Sequence, residues 1–302
     1  MTSKNRRAIE FVALTYVFSW LMIAIFVGLG GQWNTSMAFI IGILYMFVPA
    51  SVAVYLQRFK YKQRVKETLG ISFKLNRWFL FAWLISPGIA FMTFGISLLF
   101  GGVEYSPNML GLFERFGDLL SPEQMEDMLN QIENMPIHPI WLSLIQGLIA
   151  GVTINAIAGF GEELGWRGYL FKEVKHLGFW KSSFIIGVIW GIWHAPIILL
   201  GHNYPEHPVA GMFMMTIFAV LISPIFTYVR IKSGSVIAAA IMHGTFNAVS
   251  GLAIMLLVGG NDLIVGVTGL AGFLALVIIN ILLFGYDRYF SKEAVMHSGG
   301  QA

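Results

Sequence analysis

The segment Gly161-Glu162-Glu163-Leu164-Gly165-Trp166-Arg167-Gly168 closes an apolar run that begins near residue 140. About 20 residues of helix cross a hydrocarbon core of about 30 Å, so two adjacent carboxylates and a guanidinium stand at the end of a bilayer-length stretch. An ionised side chain at such depth costs roughly 2.5–3.5 kcal/mol at a helix centre. Groups of this kind need a charged partner, a water-filled cavity or a chemical function. The run itself reads as a membrane helix, and the rest of the chain repeats its pattern.

Of the 302 residues, 57% are hydrophobic and only 12% charged. With a mean hydropathy of +0.72, the chain lies outside the range of soluble globular domains. Eight apolar segments are long enough to span: about 9–29, 37–56, 79–100, 140–161, 183–201, 209–229, 234–258 and 263–285. None alternates as a barrel strand does, so the expectation is an all-α polytopic membrane protein with eight transmembrane helices, a single integral membrane domain over 1–302. The first span follows Lys4, Arg6 and Arg7 as a signal peptide would, yet no small-residue cleavage site comes after it, and it reads as retained. The absence of cysteine excludes disulfides, thiolate catalysis and cysteine–zinc sites. Basic residues are scattered over short loops, a distribution unlike a nucleic-acid-binding stripe.

Charge sets the expected orientation. In the eight-span reading, 18 of the 19 Lys and Arg residues fall on one side: the amino terminus, the loops around 58–77, 167–181 and 230–232, and the carboxyl terminus. Only Arg115 falls opposite. This bias predicts that both termini are cytoplasmic. The opposite side carries an acidic segment over about 101–139, with Glu104, Glu114, Asp118, Glu123, Glu126, Asp127 and Glu133. Within it, Ser121-Pro122-Glu123-Gln124 has the form of a capping box, and Met125, Met128, Leu129 and Ile132 recur at i, i+3, i+4, i+7. The spacing predicts a short amphipathic helix on the outer surface, capping the bundle.

Depth brings three polar clusters together. If the fourth helix runs on to Lys172, Glu162 lies ten residues from that lysine; His194 lies thirteen beyond Lys181 and His243 eleven beyond Lys232. At 1.5 Å per residue, all three sit roughly 15–20 Å in from the same ends of their helices. Glu163 is placed to pair with Arg167 one turn on, leaving Glu162 free to face a cavity. Trp190 and His194 share a helix face, as do His243 and Asn247, with Gly244 and Ala238–Ala240 allowing close approach. His202, His207, His138, Asn155 and Asn280 read as ordinary loop or packing residues.

Two chemistries remain open on these residues. Glu162, His194 and His243 could hold a divalent metal such as zinc with an open position for water, although no HExxH segment is present. Alternatively, Glu162 and His194 activate water directly, while His243 and Asn247 donate to the oxyanion of a tetrahedral intermediate, with no cofactor required.

The ordered set Glu162-Glu163-x-x-x-Arg167, aromatic-x-x-x-His194, His243-x-x-x-Asn247 resembles the CPBP (Abi) family of intramembrane proteases, which includes the type II CAAX prenyl endopeptidases. The matching core runs from about 140 to 258. The resemblance implies that Glu162 is the catalytic glutamate, His194 its partner in activating water, and His243 with Asn247 the oxyanion-binding pair, with Glu163 and Arg167 orienting the site. The second motif in the family usually begins with phenylalanine; here it begins with Trp190, which bears on pocket shape. The implied activity is endopeptidase cleavage near the carboxyl end of a lipid-anchored (CAAX-type) or membrane-embedded peptide. Lipid bilayer and membrane-anchored substrate are then the partners, in a prokaryotic cell membrane, with the active site facing the cytoplasm. A proton-coupled secondary transporter would also place Glu and His at the midplane, but the chain shows no repeated halves. A non-catalytic immunity or scaffold protein would not need the full set of polar residues.

Overall fold

The computed structural model describes residues 3–111, 113 and 121–297. Among these residues it is a bundle of helices with one two-stranded ladder, in which β1 (Glu104–Tyr105) pairs antiparallel with β2 (Leu257–Val258). Six of the described helices are long and apolar enough to cross a membrane. They are α1 (Ser3–Gly28), α2 (Ser36–Val54, continued by a π-helical turn to Lys60), α4 (Arg77–Ser97), α11 (Pro208–Ser233), α12 (Val236–Val249, extended by α13, Leu252–Met255) and α14 (Leu270–Tyr289). The short α3 (Val65–Leu69) joins α2 to α4. A seventh crossing exists if the bent pair α6 (Pro139–Val152) and α7 (Ile154–Glu163) counts as one span. The remaining expected span is represented by α9 (Phe179–Trp193), only 15 residues long, and α10 (Ala195–Leu199).

Both departures from the expected count have local causes. Thr153 lies outside the helical region, at φ −116° and ψ −104°, and its hydroxyl donates back to the Ile149 carbonyl at 2.7 Å. That side-chain bond competes with the helical ladder, and the axis bends by 51°. At the other break, Pro196 has no N–H with which to continue the ladder, so α9 stops at Trp193 and a new helix begins at Ala195 with the proline in its first turn. Beyond Glu163 the fourth segment does not continue as an α-helix to Lys172. It winds as a π-helix over Leu164–Leu170 and regains α geometry only in α8 (Phe171–Val174). A π-helical turn inside a helix often marks a functional site.

The outer segment carries the expected helix, α5 (Pro122–Asn134), with a complete capping box between Ser121 and Gln124. Glu114, Arg115 and Asp118 lie outside the described residues, as do the side chains of Met125 and Glu133.

Around the bundle, bulky side chains such as Phe39, Phe213 and Ile281 are left uncovered by protein. An apolar surface of this extent is that of a protein embedded in lipid. The helix of α12 and α13 is the most enclosed of the spans, 61% buried against 28% for α1, and it packs against α4, α6 and α7. A Cβ on Gly159 would stand 2.9 Å from the Ala240 carbonyl, and one on Gly244 2.5 Å from the Asn155 carbonyl carbon. Small residues thus let α7 and α12 touch backbone to backbone. That contact is what brings the carboxylates of one to the imidazole of the other.

Candidate active site

Glu162 and Glu163 end α7, Trp190 and His194 end α9, and His243 lies in the middle of α12. Successive residues on a helix point about 100° apart, so the two glutamates face different neighbours. Glu162 Oε2 accepts the indole N–H of Trp190 at 2.7 Å and that of Trp166 at 3.4 Å. Its other oxygen, Oε1, stands 3.8 Å from His243 Nε2. Glu163 Oε1 accepts from His243 Nδ1 at 2.8 Å and from Arg167 Nη1 at 3.1 Å. The guanidinium also donates to Ser223 Oγ at 3.0 Å and lies over the rings of Trp190 and Phe226.

This network sits among buried side chains: Glu163 and Arg167 are fully enclosed, while Glu162, His243 and His194 keep 3%, 4% and 7% exposure. Replacing a buried ion pair by apolar residues is often neutral or stabilising, so stability alone gives little reason for this charge cluster. A carboxylate with one oxygen held by two indoles and the other left toward an imidazole is arranged as a proton acceptor.

The break at His194 shapes the second layer. With α9 interrupted, the His194 amide bonds to Gly191, and the Trp190 carbonyl is taken instead by His194 Nδ1 at 2.7 Å. A carbonyl only accepts, so Nδ1 carries the proton and Nε2 is left with its lone pair or a second proton. The Trp193 carbonyl, also freed, accepts from Tyr45 Oη at 2.6 Å and Trp20 Nε1 at 3.1 Å. Buried carbonyls in a membrane must find such partners.

Of the sequence-derived residues, Glu162, Glu163, Arg167, Trp190 and His243 form one connected cluster. The imidazole beside Glu162 is that of His243; His194 adjoins the cluster through the Trp190 ring, its centroid 5.6 Å away. Asn247 lies one turn beyond His243 on the same face and is exposed, with no hydrogen-bond partner among the described residues. Trp166, Ser223 and Phe226 belong to the site as well. Trp166 was discoverable, since it lies four residues from Glu162 on the same segment; Ser223 and Phe226 come from α11, a mainly apolar span in which one serine and one phenylalanine give no signal. His202 packs edge-on against Trp33, and His207 bonds to Asp262.

The candidate metal set does not close. Among the described residues no three His, Cys, Asp or Glu side chains converge closely enough to hold an ion. His243 and His194 each commit Nδ1, to Glu163 and to the Trp190 carbonyl, which leaves Nε2 as the ring nitrogen that a metal would take.

On the side toward Lys172, the site is backed by Trp166, Arg167, Tyr169 and Leu170, all fully buried. The exposed residue of the set is Asn247, on the opposite side.

Comparison with known proteins agrees with the resemblance of the motifs. Residues 137–249 match the family described as Type II CAAX prenyl endopeptidase Rce1-like. A protein of Methanococcus maripaludis named CAAX prenyl protease 2 is 39% identical over 49 residues, which are 16% of this chain and 18% of that relative. The matched segment 137–249 contains all seven of the sequence-derived site residues, and it is similar to that family.

Proposed function

We propose that the protein is an intramembrane endopeptidase in which Glu162 activates water against a peptide bond near the carboxyl end of a lipid-anchored, CAAX-type or membrane-embedded substrate. The observation that carries this reading is the Glu162 carboxylate, pinned through Oε2 by two indoles with Oε1 3.8 Å from His243 Nε2. One water can lie at a normal hydrogen-bond length of about 2.8 Å from both atoms. Glu162 takes a proton from this water as the oxygen adds to the scissile carbonyl carbon. The C=O electron pair moves onto oxygen, and the oxyanion is met by His243 Nε2–H and the Asn247 amide. Two carboxylates facing His243 offset the charge of the imidazolium that this role requires. Collapse of the intermediate breaks the C–N bond, and the proton held by Glu162 passes to the leaving amine. His194, whose Nδ1 proton is committed to Trp190, presents Nε2 as a second acceptor for the water.

In the same reading the chain crosses the membrane eight times with both termini cytoplasmic, α6–α7 and α9–α10 each being one broken crossing. Support comes from contacts among the basic loops. Arg7 lies over Tyr61, Lys172 bonds to Gln57, Asn76 to the Ser233 carbonyl, and Lys232 to Ser291, all at one end of the bundle.

The test is cleavage of a quenched prenylated peptide by detergent-solubilised protein. Wild type is expected to cleave it, and Glu162→Ala to lower kcat by about 10²–10⁴-fold, the usual contribution of a general base. Exhaustive chelation should leave the wild-type rate unchanged. Cleavage surviving in Glu162→Ala overturns the assignment; loss on chelation restored by zinc transfers the water to a metal.

A further inference from the structure

A second polar cavity lies apart from the catalytic cluster, among the ends of α3, α8 and α11. It holds about 200 Å³ and is lined by Thr68, Lys172, Lys175 and Arg230, with Phe171 and Ile231 as apolar walls. That is smaller than a pocket for a drug-sized ligand, roughly 300–1,000 Å³, and suits a single compact head group.

Its cations are not equivalent. Lys172 is already committed, donating to Gln57 at 2.7 Å and pairing with Glu173 at 2.8 Å. Arg230 uses two N–H groups on backbone, Nε to the Arg167 carbonyl at 3.1 Å and Nη2 to the Leu69 carbonyl at 3.3 Å. A guanidinium has five donors, so about three remain, and the group that carries them is fixed. Gly70, at φ +74°, keeps that position open: a Cβ there would collide with the guanidinium. Lys175 is exposed and has no ion-pair partner among the described residues. Once the Lys172–Glu173 pair cancels, Lys175, Arg230 and Thr68 line a common space whose lining residues include no carboxylate. Arg230 is three residues from the end of α11, and Lys175 follows the last residue of α8. A head group at the membrane surface meets the cavity at this level.

We propose that this cavity binds the phosphate of an anionic lipid head group. Fixed guanidinium donors and a mobile ammonium are matched to phosphate oxygens, and basic pockets between membrane helices recur as head-group sites. A soluble phosphate ester offers the same oxygens, so the two sources must be separated experimentally. The site stands independently of the protease reading.

The experiment uses the full-length protein in phosphatidylcholine bilayers with and without phosphatidylglycerol, at constant ionic strength, read by thermal unfolding. A parallel arm adds glycerol 3-phosphate to protein in neutral detergent. Phosphatidylglycerol should raise the unfolding temperature of wild type, and Lys175→Gln should weaken its apparent affinity about fivefold, the effect of one interfacial charge. Thr68→Ala, which leaves all charge in place, should also weaken it. Lys74→Gln, an exposed lysine of the same charge-rich loops outside the cavity, should not. A shift with the soluble ester assigns the site to phosphate alone; a shift only with the lipid assigns it to the bilayer. Equal losses for Lys175→Gln and Lys74→Gln, or no shift with either probe, overturn the proposal.

Discussion

Trp190 does two jobs at the residue scale, and only one could be served by the phenylalanine usual in the resembling family. Its ring covers Arg167 and adjoins both imidazoles, as a phenyl ring would. Its N–H, 2.7 Å from Glu162 Oε2, has no counterpart in phenylalanine. A hydrogen bond to a charged group contributes about 1.5–3 kcal/mol. Without it the carboxylate keeps only the 3.4 Å contact to Trp166 and is free to turn Oε1 away from His243. Trp190→Phe should therefore lower kcat roughly 10- to 100-fold with KM nearly unchanged, because substrate contacts are intact while the base is misaligned. Trp166→Phe, which removes the longer bond, should cost only a few-fold. Steady-state kinetics on the quenched peptide check both, and a kcat for Trp190→Phe within twofold of wild type would show that the indole N–H is idle. The identity of the carboxylates and of His243 was legible in the sequence, because charge inside an apolar run is rare. Their pairing was only partly so. The Glu163–Arg167 bridge follows from helical spacing, whereas Glu163 to His243 joins residues 80 apart in the chain.

At the scale of elements, counting residues from the basic ends put Glu162, His194 and His243 at one level; the structure sets Glu162 beside His243, with His194 beyond the Trp190 ring. The count serves the first pair because helical rise is nearly constant. It could not register breaks. Thr153 interrupts α6 and α7 without any proline, through a hydroxyl bond that many membrane threonines make without bending a helix. The expected span 183–201 ran through Pro196, where the helix breaks, and nothing in the sequence showed that His194 would turn its ring onto the Trp190 carbonyl. What holds the level is the α7–α12 contact, and it depends on hydrogen in place of a methyl group. A Cβ at Gly244 would fall against the backbone of Asn155 and Ala156, which have no rotamer to yield. Gly244→Ala must separate the helices, at about 1–3 kcal/mol for overpacking. Because Glu162 and His243 ride on these two helices, peptide cleavage should fall along with the unfolding temperature. Gly42→Ala, where a Cβ meets open space, serves as the control and should leave both unchanged. Differential scanning fluorimetry in detergent distinguishes them; equal melting temperatures for the two variants would mean that the helices adjust without strain.

Over the whole molecule, the strongest organising signal is the segregation of charge. Eighteen of 19 basic residues were assigned by sequence to one side, and the loops that carry them contact one another in the folded chain. The loops assigned to the other side likewise meet: Trp33 touches His202, Asp262 accepts from the amides of Glu206 and His207, and β1 pairs with β2. Alternating loops therefore gather at two ends, as an up-and-down path through a bilayer requires. Among the described residues six helices are long and apolar enough to cross as single rods, seven with the bent pair; in the eight-crossing reading the other two paths are broken. Orientation is a separate matter, since packing is the same whichever end faces the cytoplasm; only the positive-inside bias distinguishes the two. The chain has no cysteine, so single substitutions give an unambiguous label. Lys62→Cys and Glu206→Cys sit in exposed positions of loops at opposite ends. With a membrane-impermeant maleimide on intact cells, Glu206→Cys should label at once and Lys62→Cys only after permeabilisation. Labelling of both in intact cells would mean that the two loops share a side, and the broken helices would then be re-entrant turns rather than crossings. The reverse pattern would keep eight crossings, invert the molecule, and put the basic cavity of Lys175 and Arg230 on the outer leaflet.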